Sequence, residues 1–438
     1  MSSAPLPVAH LVGRRLAAGE RGAGGRPAAE PNVVAPPRLP VAMTAAAVVA
    51  LPVTVPRGPG NVGPADVLIV LAVGAWLYSA ATSGERLRFP YALGLGLLML
   101  GGAVGGLAGP VPSAGALALM QDVLLAAWAW AVVNVCRTPH AASLVLRTWA
   151  YSSIGWAIVL FAGLAASVPA ITGQITTEGS RTALTFADPN VFANYLFISA
   201  MIVCATGRPR RRWLRAASYV LLIAALVTTG SNSGLVSVAV GMGVAVVLSV
   251  YRRGSLVSAI ATAACLTVAL GGAMSLISLH SIQQHAYTSG YAVLRDGIGR
   301  GQASVNERSK VLSESLGLYS DGGAAGEGPV STKPRLEAAQ VPYPKEAHDD
   351  YFAALLERGL IGAVGLAILI ASLVTRTGSL IRRAAEPFGS AVLPTPNALV
   401  AAVAGTMVTM TVYELLHVRH VWALFAIVAA CTIWGKAR

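Results

Sequence analysis

Residues 233–250 read SGLVSVAVGMGVAVVLSV, are followed by Tyr251-Arg252-Arg253-Gly254-Ser255, and give way to LVSAIATAACLTVALGGAMSLISL over 256–279. The first run holds 18 residues and no charge. Wound as a helix it is roughly 27 Å long, close to the hydrocarbon thickness of a bilayer. The same pattern recurs along the whole chain. Over its 438 residues 55% are apolar and 12% charged, too few charges to cover a soluble surface of that size. An all-α polytopic membrane protein is the expected class.

Apolar runs between charged or Gly/Pro-rich breaks predict about twelve transmembrane helices, near 40–56, 65–81, 91–108, 115–135, 150–171, 190–206, 214–230, 233–250, 256–279, 351–375, 397–417 and 419–435. Residues 1–39 are rich in Arg, Gly, Ala and Pro and are expected to form a disordered basic cytoplasmic tail. The rest divides into spans over 40–279, a large extracytoplasmic segment over 280–350, and spans over 351–438. Cys136, Cys204, Cys265 and Cys431 lie in or beside apolar runs without a CxxC pair, so they read as packing residues.

The basic residues orient this layout. With the N-terminal tail in the cytoplasm, 21 of the 32 Lys and Arg residues fall on inner segments, among them the cluster Arg208, Arg210, Arg211, Arg212 and Arg215. Eight of the remaining eleven lie between 280 and 358, which leaves the short outer connections nearly bare. The reading is a multi-pass membrane protein with both termini in the cytoplasm. The net charge of +13 is then mostly a topology signal, and no nucleic-acid partner is implied.

Two outer segments carry chemistry. The shorter, about 172–189, holds Arg181 and ends in Asp188-Pro189-Asn190, a helix-start pattern. Capping explains Asp188 but not Asn190 and Asn194, two amides one turn apart on one helix face, which in a membrane helix turn toward protein or a wet cavity. The longer, 280–350, holds seven basic and nine acidic residues. Within it, 303–318 has a helical period that puts Arg308 on an apolar stripe with Val305, Leu312 and Leu316. It ends in His348-Asp349-Asp350-Tyr351-Phe352, which places His348 at the mouth of the tenth span. Adjacent His, Asp and Asp do not converge as metal ligands do, so no metal is expected there, and an Asp capping the helix is the structural alternative. Gln121, Asp122, Glu414, His417, Arg419 and His420 are further polar candidates in or near spans. Glu414 and Arg419 are read as one possible interface pair.

Three stretches resemble the O-antigen ligase and polymerase superfamily of bacterial membrane glycosyltransferases. They are Arg181 with Phe186-Ala187-Asp188-Pro189-Asn190 through Asn194-Tyr195, the turn Thr229-Gly230-Ser231-Asn232-Ser233-Gly234, and His348 with Gly359-Leu360-Ile361-Gly362 at ligase spacing. Asn232 stands where that family's turn has Arg, and Asp349 where ligases carry Asn, Ser or Gln. The resemblance implies a GT-C-like architecture with a large, partly helical outer loop between spans nine and ten. It implies transfer of a glycan from a polyprenyl-diphosphate carrier to a glycan or lipid acceptor hydroxyl at the outer face, inverting and without metal or other cofactor. Arg181 and Arg308 suit the diphosphate, because guanidinium is a permanently charged bidentate donor. His348 suits proton removal near neutral pH. Asn190, Asn194, Asp349 and Tyr351 are the expected substrate-binding residues. A glycan polymerase of the same superfamily, or an anion transporter with Asp122, Glu414 and the histidines as a relay, are the competing readings. A transporter would hold its polar residues at the bilayer midplane.

Overall fold

The computed structural model describes residues 38–58, 62–174, 180–186, 188–276, 279–290, 295, 310, 313–314, 317, 324–341, 344, 346–383 and 391–433. Its regular elements among these are helical. In chain order they are α1 (Arg38–Ala50), α2 (Pro64–Ser83), α3 (Ala92–Ala108), α4 (Pro112–Val135), α5 (Pro139–Ala165) and the single turn α6 (Pro169–Thr172). Next come α7 (Pro189–Thr206), α8 (Arg212–Thr228), α9 (Asn232–Arg253), α10 (Leu256–Leu276) and α11 (Leu279–Thr288). The last four are α12 (Thr332–Ala338), α13 (Asp350–Arg383), α14 (Asn397–Thr409) and α15 (Arg419–Cys431).

A helix stands at each place where the hydropathy predicts one. By length and composition 6 of them, α2, α4, α5, α7, α9 and α13, suffice to cross a membrane, and shorter apolar helices lie between them. The chain is a polytopic membrane protein. α7 is the most enclosed of the long helices, and α15 is buried along its length. At the centre the Trp149 indole donates to Ser199 Oγ at 3.0 Å and stacks on Tyr195, so α5 and α7 are joined by a bond as well as by packing.

Several boundaries differ from the hydropathy reading. α5 begins at Pro139, well before residue 150, because Thr138 caps it by accepting from the Ala141 amide. His140 and Arg147 had masked that start. α1 stops at Ala50, ahead of Pro52, and does not reach residue 56. The eleventh run was expected to be helical to 417. α14 ends at Thr409, and 410–418 is a folded connection. Leu415 and Leu416 made that stretch look like helix, but their amides bond the Asp350 carboxylate instead.

α13 is broken at Gly359, whose φ of 62° and ψ of −166° are open essentially to glycine alone. The residues 324–328 run against this break. Glu327 N donates to Leu356 O at 3.0 Å, Gly328 N to Glu357 O at 2.8 Å, and Leu360 N to Ala324 O at 2.9 Å. Beyond it, α13 lies on α3 so closely that a Cβ on Gly365 would sit 2.6 Å from the Leu98 amide, the small-residue packing typical of membrane helices.

Of the helix expected over 303–318, Lys310, Ser313, Glu314 and Gly317 are described and helical. Arg308 lies outside the described residues. So does the tail expected over 1–39, apart from Arg38 and Leu39, which open α1.

Candidate active site

One cavity of about 790 Å³ lies where five parts of the chain meet: 51–57 after α1, 118–122 within α4, Phe186, Asp188 and Val191 at the start of α7, 329–333 with Pro344, Glu346 and 348–358 around α12 and the start of α13, and 413–420 before α15. Each segment is fixed by bonds that the local sequence supplies. Asp188 caps α7, its Oδ1 accepting from Asn190 N at 2.6 Å and Val191 N at 3.1 Å. Its other oxygen takes the Tyr413 hydroxyl. Asp349 caps α13 through the Tyr351 and Phe352 amides at 2.8 and 2.9 Å. Asp350, buried, accepts from Leu415 N at 2.7 Å and Leu416 N at 3.1 Å. The mouth of α13 is thereby latched to the 410–418 connection.

His348 lines the cavity at that latch. Its backbone takes the left-handed conformation, φ 53°, uncommon for a residue with a side chain. Two neighbours hold it. The His348 amide donates to Glu414 Oε1 at 3.0 Å, and the imidazole stacks on the Tyr413 ring with centroids 5.7 Å apart. Strained backbone held by surrounding contacts is a recurrent property of functional sites. Burial first, and then the Glu357 and Asp350 carboxylates, push Glu414 well above the ordinary carboxylate range. Burial also raises Asp349, against the two amide bonds that lower it. His417, on the same connection, is pushed down to about 4 by burial first and then by Arg419, with Arg57 adding in the same sense.

The other nominated residues build the wall. Arg181 is 3% exposed and does not line the cavity. Its Nε donates to Thr229 O at 2.7 Å and an Nη to Asn190 Oδ1 at 3.1 Å. Asn190 Oδ1 also accepts from Ser231 Oγ at 2.9 Å, and Ser231 in turn caps α9 through Gly234 N. The Arg181, Asn190 and Ser231 motifs, far apart in sequence, are thus one knot. Asn194 is fully buried with its Oδ1 3.0 Å from His420 Nε2, and the Tyr351 hydroxyl donates to Met407 O at 3.0 Å. Of the nominated residues described here, His348 faces the cavity while Arg181, Asn190, Asn194, Asp349 and Tyr351 stand behind its lining.

Two of the remaining polar candidates, Asp122 and Arg419, form ion pairs. Asp122 bonds Arg358 at 2.6 Å across α4 and α13. Arg419 does not form the pair with Glu414 that their proximity in sequence suggested. It forks onto Asp66 with both contacts at 2.8 Å, because Asp66 opens α2 beside the start of α15. Glu357 accepts from Val330 N and from Thr332 N and Oγ, which seats α12. Sequence reasoning missed Tyr413, Arg57, Lys333 and Glu357 as cavity residues. A signal existed for Arg57: it is one of the few basic residues in the short connections that the charge alternation leaves nearly bare.

Residues 217–367 match the O-antigen ligase family model. The matched stretch runs from within α8 through α9, α10, α11 and α12 into α13, and includes His348, the Gly359 break and the Ser231 turn. That family is enzymatic, and the match implies glycan transfer of the O-antigen ligase/polymerase kind on lipid-linked glycans. No curated protein matches the chain. Among the described residues no three His, Cys, Asp or Glu side chains cluster as metal ligands.

Proposed function

We propose that the cavity moves a glycan from a polyprenyl-diphosphate carrier to an acceptor hydroxyl by a metal-independent, inverting displacement. In this reading all twelve apolar helices span the cytoplasmic membrane of a bacterium, both termini are cytoplasmic, and the cavity opens outward. The observation that carries it is His348: a histidine with strained backbone, clamped by Glu414 and Tyr413, on the wall of the large cavity and inside the stretch that matches the ligase family.

The acceptor oxygen attacks the anomeric carbon as His348 takes its proton. The bond from that carbon to the diphosphate oxygen breaks, and the carrier diphosphate leaves with the electron pair. A single displacement inverts the anomeric centre. General-base help of this kind contributes about 10²–10⁴-fold. Arg308 is the proposed cation of the 280–350 segment for the leaving group. Arg181, engaged by Thr229 and Asn190, acts on the site by holding the start of α7 and so the Asp188 to Tyr413 bond. Asn190, Asn194, Asp349 and Tyr351 act through the same wall, positioning the segments that would touch donor and acceptor.

The test is transfer by the purified chain, given a polyprenyl-diphosphate glycan and an acceptor and read by mass spectrometry. Deletion of the gene should let a carrier-linked glycan accumulate. If the glycan product is a longer carrier-linked chain, the polymerase reading replaces the ligase one. If neither glycan pool changes while uptake of a small anion does, the transporter reading takes over, with Asp122 and Glu414 as its residues.

A further inference from the structure

A diphosphate leaving group needs cations, and the cavity lining offers Arg57, Lys333, Arg358 and Arg419 besides its histidines. Two of these are committed. Arg358 is bonded to Asp122 at 2.6 Å. Arg419 forks onto Asp66, which is 3% exposed. Turning either guanidinium toward a phosphate would strand a shielded carboxylate, which is strongly unfavourable. Arg57 and Lys333 differ: both are exposed and, among the described residues, neither has an acidic partner.

Their supports are nevertheless fixed. The chain leading to Arg57 is pinned where Thr54 N and Oγ1 both donate to Thr185 O, at 3.3 and 2.6 Å, and where Ala65 N donates to Val53 O at 3.0 Å. Gly58 N closes the following turn onto Val62 O at 2.8 Å. Lys333 follows Thr332, which the Glu357 carboxylate holds by amide and hydroxyl. A charge on a fixed base, open to a cavity and without an acidic partner among the described residues, is placed to meet an anionic ligand.

We infer that Arg57 contacts the diphosphate of the lipid-linked donor and that Lys333 adds a second positive charge to the same group. This rests on the transfer reading above. Arg57 supplies the planar fork and Lys333 a point charge.

The experiment measures binding of polyprenyl diphosphate, with polyprenyl monophosphate for comparison, to the full-length protein in detergent by native mass spectrometry. The wild type is expected to prefer the diphosphate. Arg57→Ala should weaken diphosphate binding about 10–100-fold, the range of a lost charge-assisted hydrogen bond, and reduce the preference over monophosphate. Arg57→Lys should fall between the two, and Lys333→Ala should lose less than Arg57→Ala. His348→Gln, by contrast, should bind the diphosphate as the wild type does. An Arg57→Ala protein that is monodisperse and binds diphosphate within about two-fold of wild type overturns the assignment of Arg57. A wild type that binds neither lipid overturns the transfer reading itself, a distinct outcome.

Discussion

Gly359→Ala isolates the break in α13. At φ 62° and ψ −166° the backbone is in a region that costs a residue with a side chain about 1–3 kcal/mol. The added methyl would also run into the carbonyls of Ala324 and Ala325, where the neighbour is backbone and has little room to yield. Overpacking of this kind costs about 1–3 kcal/mol. Together these predict a loss of roughly 2–6 kcal/mol, or a fall of roughly 4–12 °C in thermal midpoint at about 2 °C per kcal/mol for a large chain. The damage should be directional. The 324–328 segment would lift, removing its bonds to Leu356, Glu357 and Leu360 and loosening the seat of α12. The assay is thermal unfolding in detergent, paired with hydrogen exchange over 324–338. Gly378→Ala in the same helix is the control, because a Cβ there meets nothing within 4 Å. It should be neutral or stabilising by up to about 1 kcal/mol. Equal midpoints for the Gly359 and Gly378 variants would refute the account of the break.

His348→Gln should lower transfer by about 10²–10⁴-fold with its thermal midpoint retained; transfer within a few-fold of wild type would remove the base from His348. Arg181→Lys loses the directed bonds to Thr229 and Asn190, so both transfer and stability should fall, the latter by about 1.5–3 kcal/mol and with it the thermal midpoint. Lost transfer with an unchanged midpoint would move Arg181 from the wall to the substrate. Glu414 has a raised pKa in the fold, so the folded state binds its proton more tightly than the unfolded chain does. Stability then declines as pH rises from the ordinary carboxylate range through the raised value. Glu414→Gln should therefore be more stable than wild type above the ordinary carboxylate range and flatten that decline; identical slopes for the two proteins as pH rises from that range would contradict it.

Much of the architecture was legible because hydropathy is local. A run such as 233–250 needs no partner to declare itself apolar, and α9 covers it. His348 at the mouth of α13, and an Asp capping that helix, were readable for the same reason: caps act within three residues. Errors arose where a distant group competed for the backbone. Leu415 and Leu416 read as helix, yet Asp350 claims their amides from 65 and 66 residues away. The Gly359 motif was visible as a spacing, but its reason, the 324–328 segment lying in the break, was not.

Sequence alone determined the helical membrane class, the places of the helices, and which residue types were available for phosphate and proton chemistry. Only the tertiary structure decided which charges are spent on one another. Arg419 finds Asp66 across 353 positions, Arg358 finds Asp122, and Arg181 closes a knot with Asn190 and Thr229, while Arg57 and Lys333 stay open to the cavity. The physical reason is that apolar character accumulates residue by residue along the chain. An ion pair exists only where two helix ends converge within a few ångströms, and that convergence is set by the packing of the whole bundle.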